Sequence, residues 1–150
     1  MTETQPDFVI RDVQQVVDLW TRVYADGRPD WSHLLPYYAD DVHFADTVQE
    51  LHGIAAFREM VERLARRSGD VRMQVLNAAR DGDVIFVEWQ MTLRFRQART
   101  VTIPGLSRLT LNAAGKIVDQ RDLYDLWGTI FDNIPGLGCA YRAFMRRVFG

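Results

Sequence analysis

Apolar side chains recur at helical intervals through the first part of this chain and alternate, strand-like, through the second. From Asp12 the set Val13, Val16, Val17, Trp20, Val23 and Tyr24 marks one helix face, and Asp12 with Gln15 offers a capping box at its start. Gly27-Arg28-Pro29 ends that helix. Asp30 can cap a second, short helix carrying Leu34, Leu35 and Tyr38, and Val42–Asp46 then reads as a short strand running into a loop. After His52-Gly53 a third helix places Phe57, Met60, Val61 and Leu64 opposite Arg58, Glu62 and Arg66. Residues 1–8 read as a loose arm.

In the second part, Val71–Arg80, Val84–Arg96, Thr100–Leu111 and Lys116–Asp125 read as strands. Asp81-Gly82 is a strong hairpin signal between the first two. Gln97-Ala98-Arg99 and Asn112-Ala113-Ala114-Gly115 turn the chain twice more, so a curled antiparallel meander is predicted. Leu126, Trp127, Ile130, Phe131 and Ile134 predict a helix over Asp125–Ile134, which Pro135-Gly136-Leu137-Gly138 breaks. A last amphipathic helix sets Leu137, Tyr141, Phe144, Met145 and Val148 against Arg142, Arg146 and Arg147. The fold class is therefore α+β, with helices closing the concave face of a curled sheet and leaving a pocket between them.

At 150 residues the chain is one domain, long enough to bury about two-thirds of its unfolded surface. Its formal charge of −2 lacks the basic footprint of a nucleic-acid binder. No apolar run approaches the ~20 residues that span a bilayer, and no basic region followed by an apolar run marks a secretory signal. With Cys139 as the single cysteine, a reducing cytoplasm is the expected compartment. His33, His43 and His52 are scattered without paired spacing, so no metal site is expected. Pro-Gly-Leu-Gly follows a helix and is no phosphate loop, and no nucleophilic serine or cysteine motif occurs.

The candidate chemistry begins at Asp46. Strand alternation sets it on one side with Val42 and Phe44, leaving His43 and Ala45 on the other. A carboxylate at the end of an apolar stripe is unfavourable unless it is hydrogen-bonded, hydrated or used. In the last strand Val118, Gln120, Asp122 and Tyr124 share a face.

The order helix–helix–strand–helix–meander, with Tyr38-Ala39-Asp40-Asp41-Val42, Phe44 and Asp46, then His52-Gly53, then Gly115-Lys116-Ile117 and Leu123-Tyr124-Asp125, resembles the nuclear transport factor two-like superfamily. Within it the chain is most similar to SnoaL-like polyketide cyclases and ketosteroid isomerases. The resemblance covers roughly residues 10–127 of a single domain spanning 1–150, with 128–150 as a C-terminal helical extension. It implies a cone-shaped α+β barrel whose curled sheet wraps on three N-terminal helices, and a homodimer formed through the outer sheet face. Asp46 falls where the isomerases hold their proton-shuttling carboxylate. The tyrosine and protonated aspartic acid of their oxyanion hole fall here on Trp20 and Ser107, both able to donate a hydrogen bond.

The resemblance also turns the Tyr124 face into the cavity, and in the long strand it turns in Phe86, Glu88 and Gln90. Ile85, Val87, Trp89, Met91 and Leu93 would then form an apolar outer face for a second copy to cover. Read by hydrophobicity alone the two faces of that strand exchange places, and both arrangements stand at this point. Asp46 and Asp122 are the candidate catalytic pair, with Trp20, Phe44, Phe86, Glu88, Gln90, Ser107, Gln120 and Tyr124 as candidate substrate-binding residues. The expected activity is cofactor-free acid/base chemistry on a hydrophobic carbonyl compound of polyketide or steroid type. The alternatives are a limonene-type epoxide hydrolase using Glu88 and Asp122 as its acids, or a non-catalytic binding or dimerisation module.

Overall fold

In the computed structural model, which describes residues 7–25, 27–95, 100–129 and 134–150, α1 (Val13–Thr21) begins where Asp12 accepts the Gln15 amide at 2.8 Å. The Gln15 side chain reaches back one residue beyond the cap, accepting from the Arg11 amide at 2.9 Å. The helix stops earlier than its apolar spacing predicts. Tyr24–Ala25 (β1) and Arg28–Pro29 (β2) instead form a tight hairpin. Ser32–Tyr37 is a 3₁₀ helix with Pro36 inside it, and the missing proline N–H keeps that turn short.

The remaining elements are β3 (Tyr38–Ala45), β4 (Glu50–His52), α2 (Ile54–Arg67), β5 (Ser68–Asp81), β6 (Val84–Phe95), β7 (Thr100–Leu111), β8 (Ile117–Tyr124), α3 (Leu126–Thr129) and α4 (Leu137–Phe149). Six strands make one curled, unclosed sheet in the order β4-β3-β8-β7-β6-β5, with β3 parallel to β8 and every other pairing antiparallel. Gly82 sits at φ 58° in the β5–β6 turn that Asp81-Gly82 predicts. Strand β4 was expected as loop; three residues are too few to show a period. The expected arm over residues 1–6, the turn Gln97-Ala98-Arg99 and the helical positions Ile130 and Phe131 lie outside the described residues.

The concave side of the sheet holds the core. Val16, Leu19 and Trp20 of α1 and Phe57 and Val61 of α2 pack toward Val42, Phe44, Ile85, Val87, Trp89, Leu93, Ile103 and Leu109. This corrects the inward placement of Phe86, Glu88 and Gln90. Phe86 and Glu88 are exposed and Gln90 is half-buried on the outer side, while Ile85, Val87, Trp89 and Leu93 are buried. Burying a large apolar side chain contributes about 1.5–3 kcal/mol, so the odd-numbered face of β6 gains several such contributions. The even-numbered face would bury Glu88, whose carboxylate is far dearer to desolvate without a partner. Outside, Glu88 accepts from Asn77 Nδ2 at 2.6 Å. The apolar stripe expected under a second copy is thus covered by this chain's own helices.

Candidate active site

Register carries the inward face across the meander. Ser107 is the Cα partner of both Val87 and Asp122, and Leu109 of both Ile85 and Gln120. Cross-strand partners share a face, so burying Ile85 and Val87 also turns Ser107, Gln120 and Asp122 inward. On β3 Tyr38, Val42 and Phe44 are buried on the inner side, with Asp46 just beyond the strand end. Tyr38, Phe44, Asp46, Ser107, Gln120 and Asp122 border a cavity of about 350 Å³, walled chiefly by Trp20, Trp31, Leu34, Phe44, Phe57, Met60, Met73, Trp89, Met91 and Ile103. That volume suits a small organic ligand. Arg63 and Arg67 of α2 border the same cavity beside Val48 and Gln49.

One hydrogen-bond chain crosses the polar wall. Trp89 Nε1 donates to Ser107 Oγ at 2.8 Å, and Ser107 Oγ donates to Asp122 Oδ1 at 2.6 Å. Gln120 Nε2 donates to Asp122 Oδ1 at 2.9 Å and to Oδ2 at 3.1 Å, while the Tyr38 hydroxyl donates to Gln120 Oε1. Oδ1 of Asp122 therefore carries two short contacts and Oδ2 only the longer one. Oδ2 is the oxygen left to hold a proton or meet a ligand. Burial pushes the Asp122 carboxyl up to about 6; the Ser107 and Gln120 hydrogen bonds oppose the rise and the charge of Asp46 adds to it.

Trp89 owes its position to Gly105, its partner on β7. A Cβ on Gly105 would lie 2.3 Å from Trp89 Cη2, so only glycine lets the ring lie flat across the strand with its N–H on Ser107.

Asp46 has a different set of donors. The amides of Val48 and Gln49 donate to its Oδ1 at 2.7 and 2.8 Å, and the Tyr124 hydroxyl donates to Oδ2 at 3.3 Å. The turn from β3 to β4 thus fixes the carboxylate from one side while its other oxygen faces the cavity. Burial raises the Tyr124 phenol, reinforced by the charge of Asp46, and burial with the nearby Asp122 does the same for Tyr38. Both phenols remain donors at neutral pH. Among the described residues no buried side-chain nitrogen or oxygen lacks a partner.

Asp46, Asp122, Trp20, Phe44, Ser107, Gln120 and Tyr124 therefore meet around one cavity, as the sequence reading grouped them. Phe86, Glu88 and Gln90 do not. Glu88 and Asp122 lie on opposite faces of the sheet, so the acid pair expected of an epoxide hydrolase is not assembled. Tyr38, Trp89 and Met91 are wall residues the sequence reading did not select. Tyr38 was expected on the short helix, and a register shift between Tyr38 and His43 breaks the alternation that would otherwise have pointed to it.

A family model described as SnoaL-like domain matches residues 13–120. No protein with a curated description matches the chain. Among solved structures, an NTF2-like protein of unknown function from an Exiguobacterium species is 24% identical, with a TM-score of 0.62 over 72% of this chain and 96% of that one. A protein with a ketosteroid isomerase-like fold from Catenulispora acidiphila, in complex with trimethylamine, is 18% identical, with a TM-score of 0.69 over 81% and 94%. A candidate SnoaL-like polyketide cyclase from a Jannaschia species is also 18% identical, with a TM-score of 0.65 over 91% and 99%. At these identities the likeness speaks for the fold.

Proposed function

The chain belongs to the SnoaL-like domain family, and from that premise we propose that it is a cofactor-free acid/base enzyme acting on a hydrophobic carbonyl compound, by isomerisation or by enolate-driven ring closure. The observation that carries this reading is a pair of carboxylates with unlike surroundings in one largely apolar cavity. Asp46 is supplied with backbone donors at the cavity edge. Asp122 is sunk in the wall and raised to about 6. A carboxyl raised to about 6 holds its proton in mildly acidic solution, which fits Asp122 for the role of acid beside a base at the cavity edge.

The substrate's apolar body lies against Trp20, Phe44, Trp89 and Met91, with its carbonyl oxygen toward Asp122 Oδ2. Asp46 takes a proton from the carbon next to the carbonyl. The developing enolate oxygen receives a hydrogen bond from the protonated Asp122, whose orientation Ser107 and Gln120 hold. Where the substrate carries a β,γ double bond, Asp46 then returns its proton to the far carbon of the conjugated dienolate, moving the double bond. In ring closure the enolate carbon attacks a second carbonyl, whose oxygen takes the proton back from Asp46. Positioned acid/base groups of this kind contribute typically ~10²–10⁴-fold to rate. Arg63 and Arg67 at the rim suit a substrate bearing an acidic enol, phenol or carboxyl group.

The test needs no knowledge of the natural substrate. Exchange of the α-hydrogens of 2-tetralone, an enolisable bicyclic ketone, is followed by proton NMR in deuterated buffer. Wild-type protein should accelerate the exchange and Asp46→Asn should abolish the acceleration while leaving the circular dichroism unchanged. No acceleration by wild type, or full activity in Asp46→Asn, contradicts the proposal.

A further inference from the structure

The outer face of the β3–β4 hairpin gathers side chains that the active-site cavity does not use. His43 and His52 are direct cross-strand partners, and Glu50 lies two residues before His52 on the same face of β4. The imidazole rings stack with centroids 4.7 Å apart and planes 24° apart. Potential ligand atoms of His43, Glu50 and His52 all lie within 4.8 Å of one another. His43 Nε2 is 2.8 Å from Glu50 Oε1, and His52 Nε2 is 3.9 Å from that same oxygen. Three potential ligands thus converge from two strands on one solvent-facing point.

The orientation of His43 is fixed from behind. Its Nδ1 is 2.8 Å from Asp119 Oδ2 on β8, and Asp119 Oδ1 accepts from Arg108 Nη2 on β7 at 3.1 Å. A carboxylate on one ring nitrogen directs the other outward and raises its basicity, the support that metal-binding histidines ordinarily receive. Surface ion pairing accounts for the contacts of Glu50 with each histidine taken singly. The stacking of the two rings adds to this by setting both imidazoles side by side at the same carboxylate oxygen.

We propose that His43, Glu50 and His52 form a binding site for a zinc ion, with Asp119 as the residue that positions His43. Two imidazoles and one carboxylate match the borderline-soft character of zinc and leave a fourth, tetrahedral position for water. Zinc–ligand bonds of about 2.0–2.2 Å require the three side chains to draw closer together than they stand here. His52 and Glu50 are exposed on a strand at the sheet edge and have room for that adjustment. The bound ion ties β4 to β3. Because the turn between those strands carries Asp46, the ion braces the outer side of a segment whose inner side borders the cavity.

The experiment uses tag-free, full-length protein carrying Cys139→Ser, so that the lone thiol does not compete, and titrates it with zinc chloride alone by isothermal calorimetry. One zinc per chain should bind, and NMR of nitrogen-15-labelled histidine should show both the His43 and His52 Nε2 resonances shifting. His52→Ala should abolish or greatly weaken binding, and Asp119→Asn should weaken it roughly 10- to 100-fold. His33→Ala, on the 3₁₀ helix, should bind as the parent does. The absence of saturable binding, or binding that survives His52→Ala unchanged, overturns the proposal. Because His52 is exposed, a folded His52→Ala protein is expected, and its far-UV spectrum in the absence of zinc verifies that.

Discussion

Replacing Asp122 by asparagine should remove the loss of stability that this one carboxyl imposes as pH rises from acid to neutral. The folded carboxyl stands at about 6 against an ordinary 3.8, chiefly because it is buried. At 1.36 kcal/mol per pH unit, that difference amounts to about 3 kcal/mol. An acid raised on folding binds its proton more tightly in the native chain than in the unfolded one. Its favourable contribution is whole only below about pH 3, where both states are protonated, and is lost as pH climbs from there through about 6. Asparagine does not titrate, so wild type should lose up to about 3 kcal/mol over this interval that the variant keeps. The constant offset from exchanging a carboxyl for an amide cancels when the two pH values are compared. Urea unfolding of both proteins, followed by tryptophan fluorescence at about pH 4.5 and about pH 7.5, should show about 2 kcal/mol of this difference through the midpoints, because the unfolded carboxyl is already mostly ionised at the lower pH. Parallel pH dependence in the two proteins would refute the claim that Asp122 is desolvated by the cavity wall.

Gly105→Ala should drive the Trp89 ring off its strand and break its bond to Ser107, destabilising the fold by about 1–3 kcal/mol and shifting the tryptophan emission. Ser107→Ala leaves the Trp89 N–H without its acceptor, for a loss of about 1–3 kcal/mol by urea unfolding. It also removes a donor from Asp122, so the Asp122 titration should move to higher pH; an unchanged midpoint would show that this bond does not act on the carboxylate. The expected homodimer no longer rests on the Trp89 stripe, but Phe86, Leu106 and Leu123 remain exposed and neighbouring on the outer face. If that face joins two copies, Leu106→Lys with Leu123→Lys should halve the mass measured by light scattering; an unaltered dimer would place the interface elsewhere.

The α+β class and the hairpin at Asp81-Gly82 were legible because each depends on local spacing or local turn chemistry. The grouping of Asp46 with Gln120, Asp122 and Tyr124 came from the family resemblance, since no local signal joins residues so far apart in sequence. The same resemblance turned the inner face of β6 the wrong way round, setting Phe86, Glu88 and Gln90 inward against the hydrophobic pattern. Ile85, Val87, Trp89, Met91 and Leu93 form an unbroken apolar stripe, and its burial outweighs the desolvation of Glu88 that the other arrangement requires. Register tied the two decisions together, since Val87, Ser107 and Asp122 lie in one row across three strands. Asp122 could not be inside with Glu88. The pairing of His43 with His52 was hidden for a different reason. It arises from β4, whose three residues leave no periodic trace, so histidines distant in sequence became cross-strand neighbours unannounced.

The most direct measurement is a carbon-13 NMR titration of the aspartate side-chain carboxyls, with the Asp122 resonance assigned through Asp122→Asn. A midpoint near 6, falling when Asp46→Asn removes the neighbouring charge, is the result this account requires. A midpoint at the ordinary value of about 3.9 would mean that water reaches Asp122 freely, and the proton-sharing site would not exist.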